Sequence, residues 1–138
     1  MKNRKKNSVQ GALGMTSVLG EVTMNSRRKG AKGELEFSKV CSANGYPAHR
    51  TQQYCGNTGD AADVVGLPHI HVEVKRVERL NIDTAMSQAI HDAEKKGTVP
   101  IVAHRRNRQR WLITMTAEDW FKLYREWEAG KDLEERHG

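Results

Sequence analysis

Four side chains stand out for the chemistry they offer: Glu34, Asp63, Glu73 and Lys75. Glu73 and Lys75 are two residues apart in an alternating segment, so they share one face of a strand. If that strand pairs as a hairpin with the segment before it, Asp63 approaches Glu73. Two close carboxylates repel each other unless positive charge lies between them. A divalent cation meets that need. Mg²⁺ takes oxygen ligands, keeps several waters, and is commonly held by one or two carboxylates plus substrate phosphate. The main-chain carbonyl of Val74 is a further candidate ligand. Lys75 would then lie beside the ion and a scissile phosphate, where it can orient or deprotonate an attacking water or stabilise charge developing on phosphorus. Glu34 would reach in from an upstream helix, binding metal through water or holding a second ion. Taken alone, Glu73-Val74-Lys75 would be an ordinary solvated ion pair of little energetic value. Asp63 and Glu34 give it a context that surface pairs lack.

The elements that must position these residues follow from pattern. Ala31–Asn44 reads as a helix with Glu34, Phe37 and Cys41 on one face, stopped by Gly45. Tyr46–Tyr54 reads as extended, and Cys55–Asp60 as a loop. Ala62–Leu67 and Ile70–Val77 read as two strands joined through Pro68. In the second, Ile70, Val72 and Val74 share one face, and His71, Glu73 and Lys75 the other. Whether that polar face meets solvent or forms a site is the central question. Asp83 or Thr84 can cap a helix running to about Lys96. Val99–His104 and Trp111–Thr114 read as a hairpin around the Arg-rich turn Arg105–Arg110. Thr116 and Asp119 resemble a capping box for a last helix. That helix carries Trp120, Leu123, Tyr124 and Trp127 on one face, expected to be core or dimer interface. After Gly130 the tail reads as charged and frayed. The sum is an α/β chain, a sheet flanked by helices.

Composition narrows the function classes. The chain of 138 residues suits one domain. Its 23 Lys+Arg against 17 Asp+Glu give a net charge of +6, which points to a polyanionic partner. No apolar run approaches the ~18–20 residues of a membrane span. Cys41 and Cys55 lack zinc or redox spacing and read as free thiols of a cytoplasmic protein. His49, His69, His71 and His104 lack ligand spacing for zinc, though His71 shares the face of Glu73. Residues 1–33 hold eight basic side chains and one acidic. Arg105, Arg106, Arg108 and Arg110 form a second cluster. Both clusters suit phosphate contacts, which position DNA without reading its sequence. Residues 1–26 read as a flexible basic arm, 27–128 as the folded unit and 129–138 as a charged tail.

The pattern Asp63…Glu73-Val74-Lys75 resembles the PD-(D/E)XK signature of restriction-endonuclease-like nucleases. The wider sequence resembles Holliday-junction resolvases, archaeal and phage-encoded. The matching segments are Arg28-Lys29-Gly30-Ala31-Lys32-Gly33-Glu34, Arg50-Thr51-Gln52-Gln53, Ala62-Asp63-Val64-Val65-Gly66-Leu67-Pro68, His71-Val72-Glu73-Val74-Lys75-Arg76, Gln88-Ala89 and Pro100-Ile101-Val102-Ala103-His104-Arg105. Ala62 stands where the family has Pro, and Cys55-Gly56 where it often has Ser-Gly.

The resemblance implies a restriction-endonuclease-like core, with a central mixed five-stranded β-sheet flanked by α-helices. It implies Mg²⁺- or Mn²⁺-dependent cleavage of four-way branched DNA by a homodimer, with no membrane and no organic cofactor. Glu34, Asp63, Glu73 and Lys75 would be catalytic, and Gln88 would support them. Arg27, Arg28, Lys29, Lys32, Arg50, Gln52, Arg76, Arg105 and Arg106 are expected to face DNA. The competing expectations are a nuclease of linear duplex or single-stranded DNA, and a basic nucleic-acid-binding module without catalysis.

Overall fold

The computed structural model describes residues 30–51 and 62–138. Helix α1 spans residues 30–43. It ends where Gly45 takes a φ of 91° and the Tyr46 N–H donates back to the Cys41 carbonyl at 3.0 Å, a glycine-terminated helix stop. Strands β1 (His49–Arg50) and β2 (Val64–Val65) are short. Strand β2 is shorter than Ala62–Leu67 predicts, and of Tyr46–Tyr54 the described residues 46–51 hold strand only at His49–Arg50. A turn of the type II pattern, with Pro68 second and His69 at φ 70° third, leads into β3 (Ile70–Arg76). Helix α2 (Ile82–Glu94) follows, then β4 (Val99–Arg105), β5 (Leu112–Thr114) and α3 (Ala117–His137).

The five strands form one mixed sheet in the order β1-β2-β3-β4-β5. Three pairings are antiparallel, and β3–β4 is parallel. Parallel neighbours need a crossover, and α2 supplies it. This is the α/β arrangement, a central mixed five-stranded sheet with helices, expected from the sequence. The expected β4–β5 hairpin is also present.

Alternation along β3 and β4 divides the interior. Val72, Val74, Ile101 and Ala103 face α1, where they pack with Phe37, Cys41 and Val64. Burying each such valine contributes roughly 1.5–3 kcal/mol. On the other side, Val102 packs under Ala85 and Ala89 of α2. The fully buried apolar side chains of α2 are alanines, with Ile82 and Met86 packed at the edge of this cluster.

Two helix boundaries differ from expectation. The α2 cap is Asn81, whose Oδ1 accepts the Thr84 N–H at 3.0 Å. Asn, Asp and Thr all serve as caps, so pattern alone could not choose among neighbours. Helix α3 begins at the expected cap, with Thr116 Oγ1 accepting the Asp119 N–H at 3.1 Å. It does not stop at Gly130 but continues to His137. One helical glycine costs only about 1 kcal/mol. No residue of α3 is buried. Its aromatic face stays exposed and packs on itself, with the Trp120 and Tyr124 rings stacked at 5.2 Å.

Candidate active site

The site is built on β3 and completed by its neighbours. The register Val64↔Val72 sets Asp63 opposite Glu73, so the hairpin brings the two carboxylates together as expected. The Asp63 N–H donates to the Val72 carbonyl at 2.8 Å, and Asp63 Oδ2 accepts the Val74 N–H at 2.9 Å. The Asp63 carboxyl is pushed up from 3.8 to about 7. Burial is the largest cause, followed by the charge of Glu73. A side-chain hydrogen bond with Glu73 and the charge of Glu34 raise it further, against the Val74 bond, which lowers it.

Glu34 reaches this group because α1 lies close to β3. A Cβ on Gly33 would stand 2.8 Å from the Arg76 Cβ, closer than side chains tolerate. Glu34 Oε2 accepts Arg50 Nε at 2.9 Å. The neighbouring Glu36 pairs with Arg76 Nε at 2.7 Å and with Arg105 at 3.2 Å, tying α1 to the ends of β3 and β4.

The polar face of β3 turns out to be interior. His71 is 2% exposed and Glu73 3%. His71 Nε2 lies 2.8 Å from Glu73 Oε1. Asp92 of α2, 4% exposed, brings a carboxylate oxygen within 4.8 Å of the ligand atoms of both. Lys75, on the same face, is partly exposed at the mouth of this interior. It pairs in register with His104, whose pKa burial lowers and whose Nε2 lies 2.8 Å from Thr114 Oγ1.

The structure thus gathers Glu34, Asp63 and Glu73, with Lys75 on the Glu73 face. Gln88 is exposed on α2, one turn before Asp92. Of the residues expected to face DNA, Lys32 and Arg106 are exposed. Arg50, Arg76 and Arg105 are engaged in the ion pairs above. Arg27, Arg28, Lys29, Gln52, Cys55 and the 1–26 arm lie outside the described residues. Sequence reasoning passed over Asp92. The available signal was an acidic residue seven after Ala85 and three after Ala89, on the small-residue face of an amphipathic helix.

Residues 25–137 match the model of a family described as "Phage putative PDDEXK endonuclease". The chain belongs to this family. The matched range contains Asp63 and Glu73-Val74-Lys75, the residues expected from the sequence to carry the motif. No curated protein matches the chain significantly. Among solved structures, the chain is similar to Hjc of Archaeoglobus fulgidus, a Holliday junction resolvase from an archaeal hyperthermophile. Identity is 21% over 59% of this chain and 72% of that one, with a TM-score of 0.47. Among the described residues of this PDDEXK endonuclease, no helix is long and apolar enough to cross a membrane.

Proposed function

We propose that this PDDEXK endonuclease is a divalent-metal-dependent nuclease that hydrolyses phosphodiesters in four-way branched DNA, with Asp63, Glu73 and Lys75 at its centre. The observation that carries the reading is the convergence of Glu34, Asp63 and Glu73, with the Asp63 carboxyl pushed up to about 7. Three carboxylates that repel each other form a costly arrangement unless a cation is received. The donor set fits Mg²⁺, and Mn²⁺ equally: Asp63, Glu73 and the Val74 carbonyl would hold the ion, with Glu34 acting through water. All are hard oxygen donors. When bound, the ion neutralises these carboxylates and polarises the scissile phosphate.

The protein's own groups do the rest. The Val74 N–H fixes one Asp63 oxygen. Arg50 restrains Glu34. Lys75 Nζ orients the attacking water or donates a hydrogen bond to charge developing on phosphorus. Lys32, Arg106 and the basic residues 27–29 would guide the DNA backbone, with Arg50, Gln52, Arg76 and Arg105 at the edges and Gln88 supporting the centre. Two symmetric cuts across a junction need two sites, which a two-fold homodimer supplies. Residues 27–128 form the nuclease unit in this reading, with 1–26 as a basic arm and 129–138 as an extension. The protein would act in the cytoplasm, that of the host if it is phage-encoded.

The test compares a four-way junction with a linear duplex of the same sequence, in Mg²⁺, for the wild type, Asp63→Asn and Glu73→Gln. The junction should be cut faster by the wild type and left intact, though still bound, by both variants. Equal rates on both DNAs would move the substrate to ordinary duplex. Cleavage that survives either substitution would remove the site.

A further inference from the structure

We propose that His71 and Asp92 are positioning residues that hold Glu73 in the orientation in which it receives the cation. The proposal rests on the reading of Glu73 as a metal ligand and deepens it.

Glu73 needs holding. A glutamate has three side-chain torsions, and this one must present an oxygen to a site it shares with Asp63. Its Oε1 is engaged by His71 Nε2 at 2.8 Å, while a side-chain hydrogen bond joins its carboxyl to Asp63. Glu73 is therefore held on two sides. The His71 contact has hydrogen-bond length. At 2.8 Å a proton joins the two atoms, and an ionised carboxylate can only accept.

His71 is itself placed by the fold. It precedes Glu73 by two residues, so strand alternation sets both side chains on the α2 face. It is among the largest fully buried side chains. Above it, α2 presents Ala85, Ala89 and Ala93, all buried. Asp92 is the one carboxylate that α2 sends into this interior. Its Oδ2 is buried and accepts no hydrogen bond among the described residues. Its carboxylate stands within 4.8 Å of His71 and Glu73. An unpaired buried carboxylate oxygen is costly, and the His71 ring, within 4.8 Å, is a group able to donate to it. With both carboxylates beside it, the ring can aim an N–H at one of them. Partners of this kind behind a metal ligand commonly change metal affinity about 10–100-fold.

The test measures Mn²⁺ binding by electron paramagnetic resonance without DNA, and Mg²⁺-dependent cleavage beside it. His71→Leu should raise the half-saturating metal concentration about tenfold or more, with a smaller change in rate at saturating metal. His71→Gln, which can offer an N–H to Glu73, should recover most of the affinity. Asp92→Asn, close in size to the aspartate, should weaken binding several-fold, and it carries the test if His71→Leu does not fold. A purely structural role would lower the melting temperature and leave the metal half-point unmoved, which overturns the proposal. So does a Mn²⁺ ion that Asp63→Asn retains and Asp92→Asn loses, because the cluster would then be a ligand set of its own. If the wild type binds Mn²⁺ through Asp63 but cuts no DNA, the nuclease reading falls and the positioning role stands. If it cuts DNA while His71→Leu and Asp92→Asn bind Mn²⁺ normally, the positioning role alone falls.

Discussion

Replacing Asp63 by Asn should stabilise the metal-free protein at high pH. The Asp63 carboxyl sits at about 7 in the folded chain against an ordinary 3.8. The difference of about three units corresponds to about 4 kcal/mol, which partial solvent exposure reduces to roughly 2–4 kcal/mol. The direction follows from proton binding. Below pH 3.8 both folded and unfolded chains hold the proton, and the site costs nothing. As pH rises, the unfolded chain releases its proton first. The folded chain loses stability until the pH has passed about 7. Asn keeps an oxygen for the Val74 N–H and carries no charge, so Asp63→Asn escapes this loss. Urea unfolding in EDTA should show the variant more stable than the wild type by roughly 2–4 kcal/mol at pH 8, with the gap closing toward pH 4. Saturating Mg²⁺ should reverse the order at pH 8, because only the wild type retains the site. Equal stability at pH 8, or a gap that widens toward acid, would refute the crowding of these carboxylates.

Two further outcomes are expected. Lys75→Ala should lower cleavage by about 100-fold or more while leaving Mn²⁺ binding near wild type, read by single-turnover kinetics and metal titration. Gly66→Ala should destabilise the fold by roughly 1–3 kcal/mol in urea, because Gly66 has a φ of 132° and an added Cβ would stand 2.5 Å from the Pro47 carbonyl oxygen.

Much of the site was legible in the sequence because a strand's period is two. The alternation of β3 separates Val72 and Val74 from His71, Glu73 and Lys75 without any knowledge of neighbours, and the spacing from Asp63 to Glu73 anticipates their pairing. What alternation cannot tell is which face a helix will cover. The polar face of β3 has the composition of a solvated one, yet His71 and Glu73 lie inside because α2 covers them. Asp92 was missed for the same reason, since its meaning depends on what α2 packs against. The spacing of α3 marks an apolar stripe, but the expectation that it is core is not met. Its exposure follows from packing, about which helical spacing is silent. Strand β2 is shorter than Ala62–Leu67 suggests, because Val64 and Val65 suffice to close the register that carries Asp63.

The parallel pairing of β3 with β4 has a bearing on the order of assembly. Glu34, Asp63, Glu73 and Lys75 all precede residue 76, and a shortened chain ending there would contain every motif letter. It would lack α2, which roofs His71 and Glu73, and β4, which pairs with β3 along its whole length from Ile70↔Val99 to Arg76↔Arg105. A parallel partner joins only after the crossover has been traversed. During synthesis, the acidic residues therefore emerge well before the strand that gives them their setting, and the proposed site is complete only once β4 has been made.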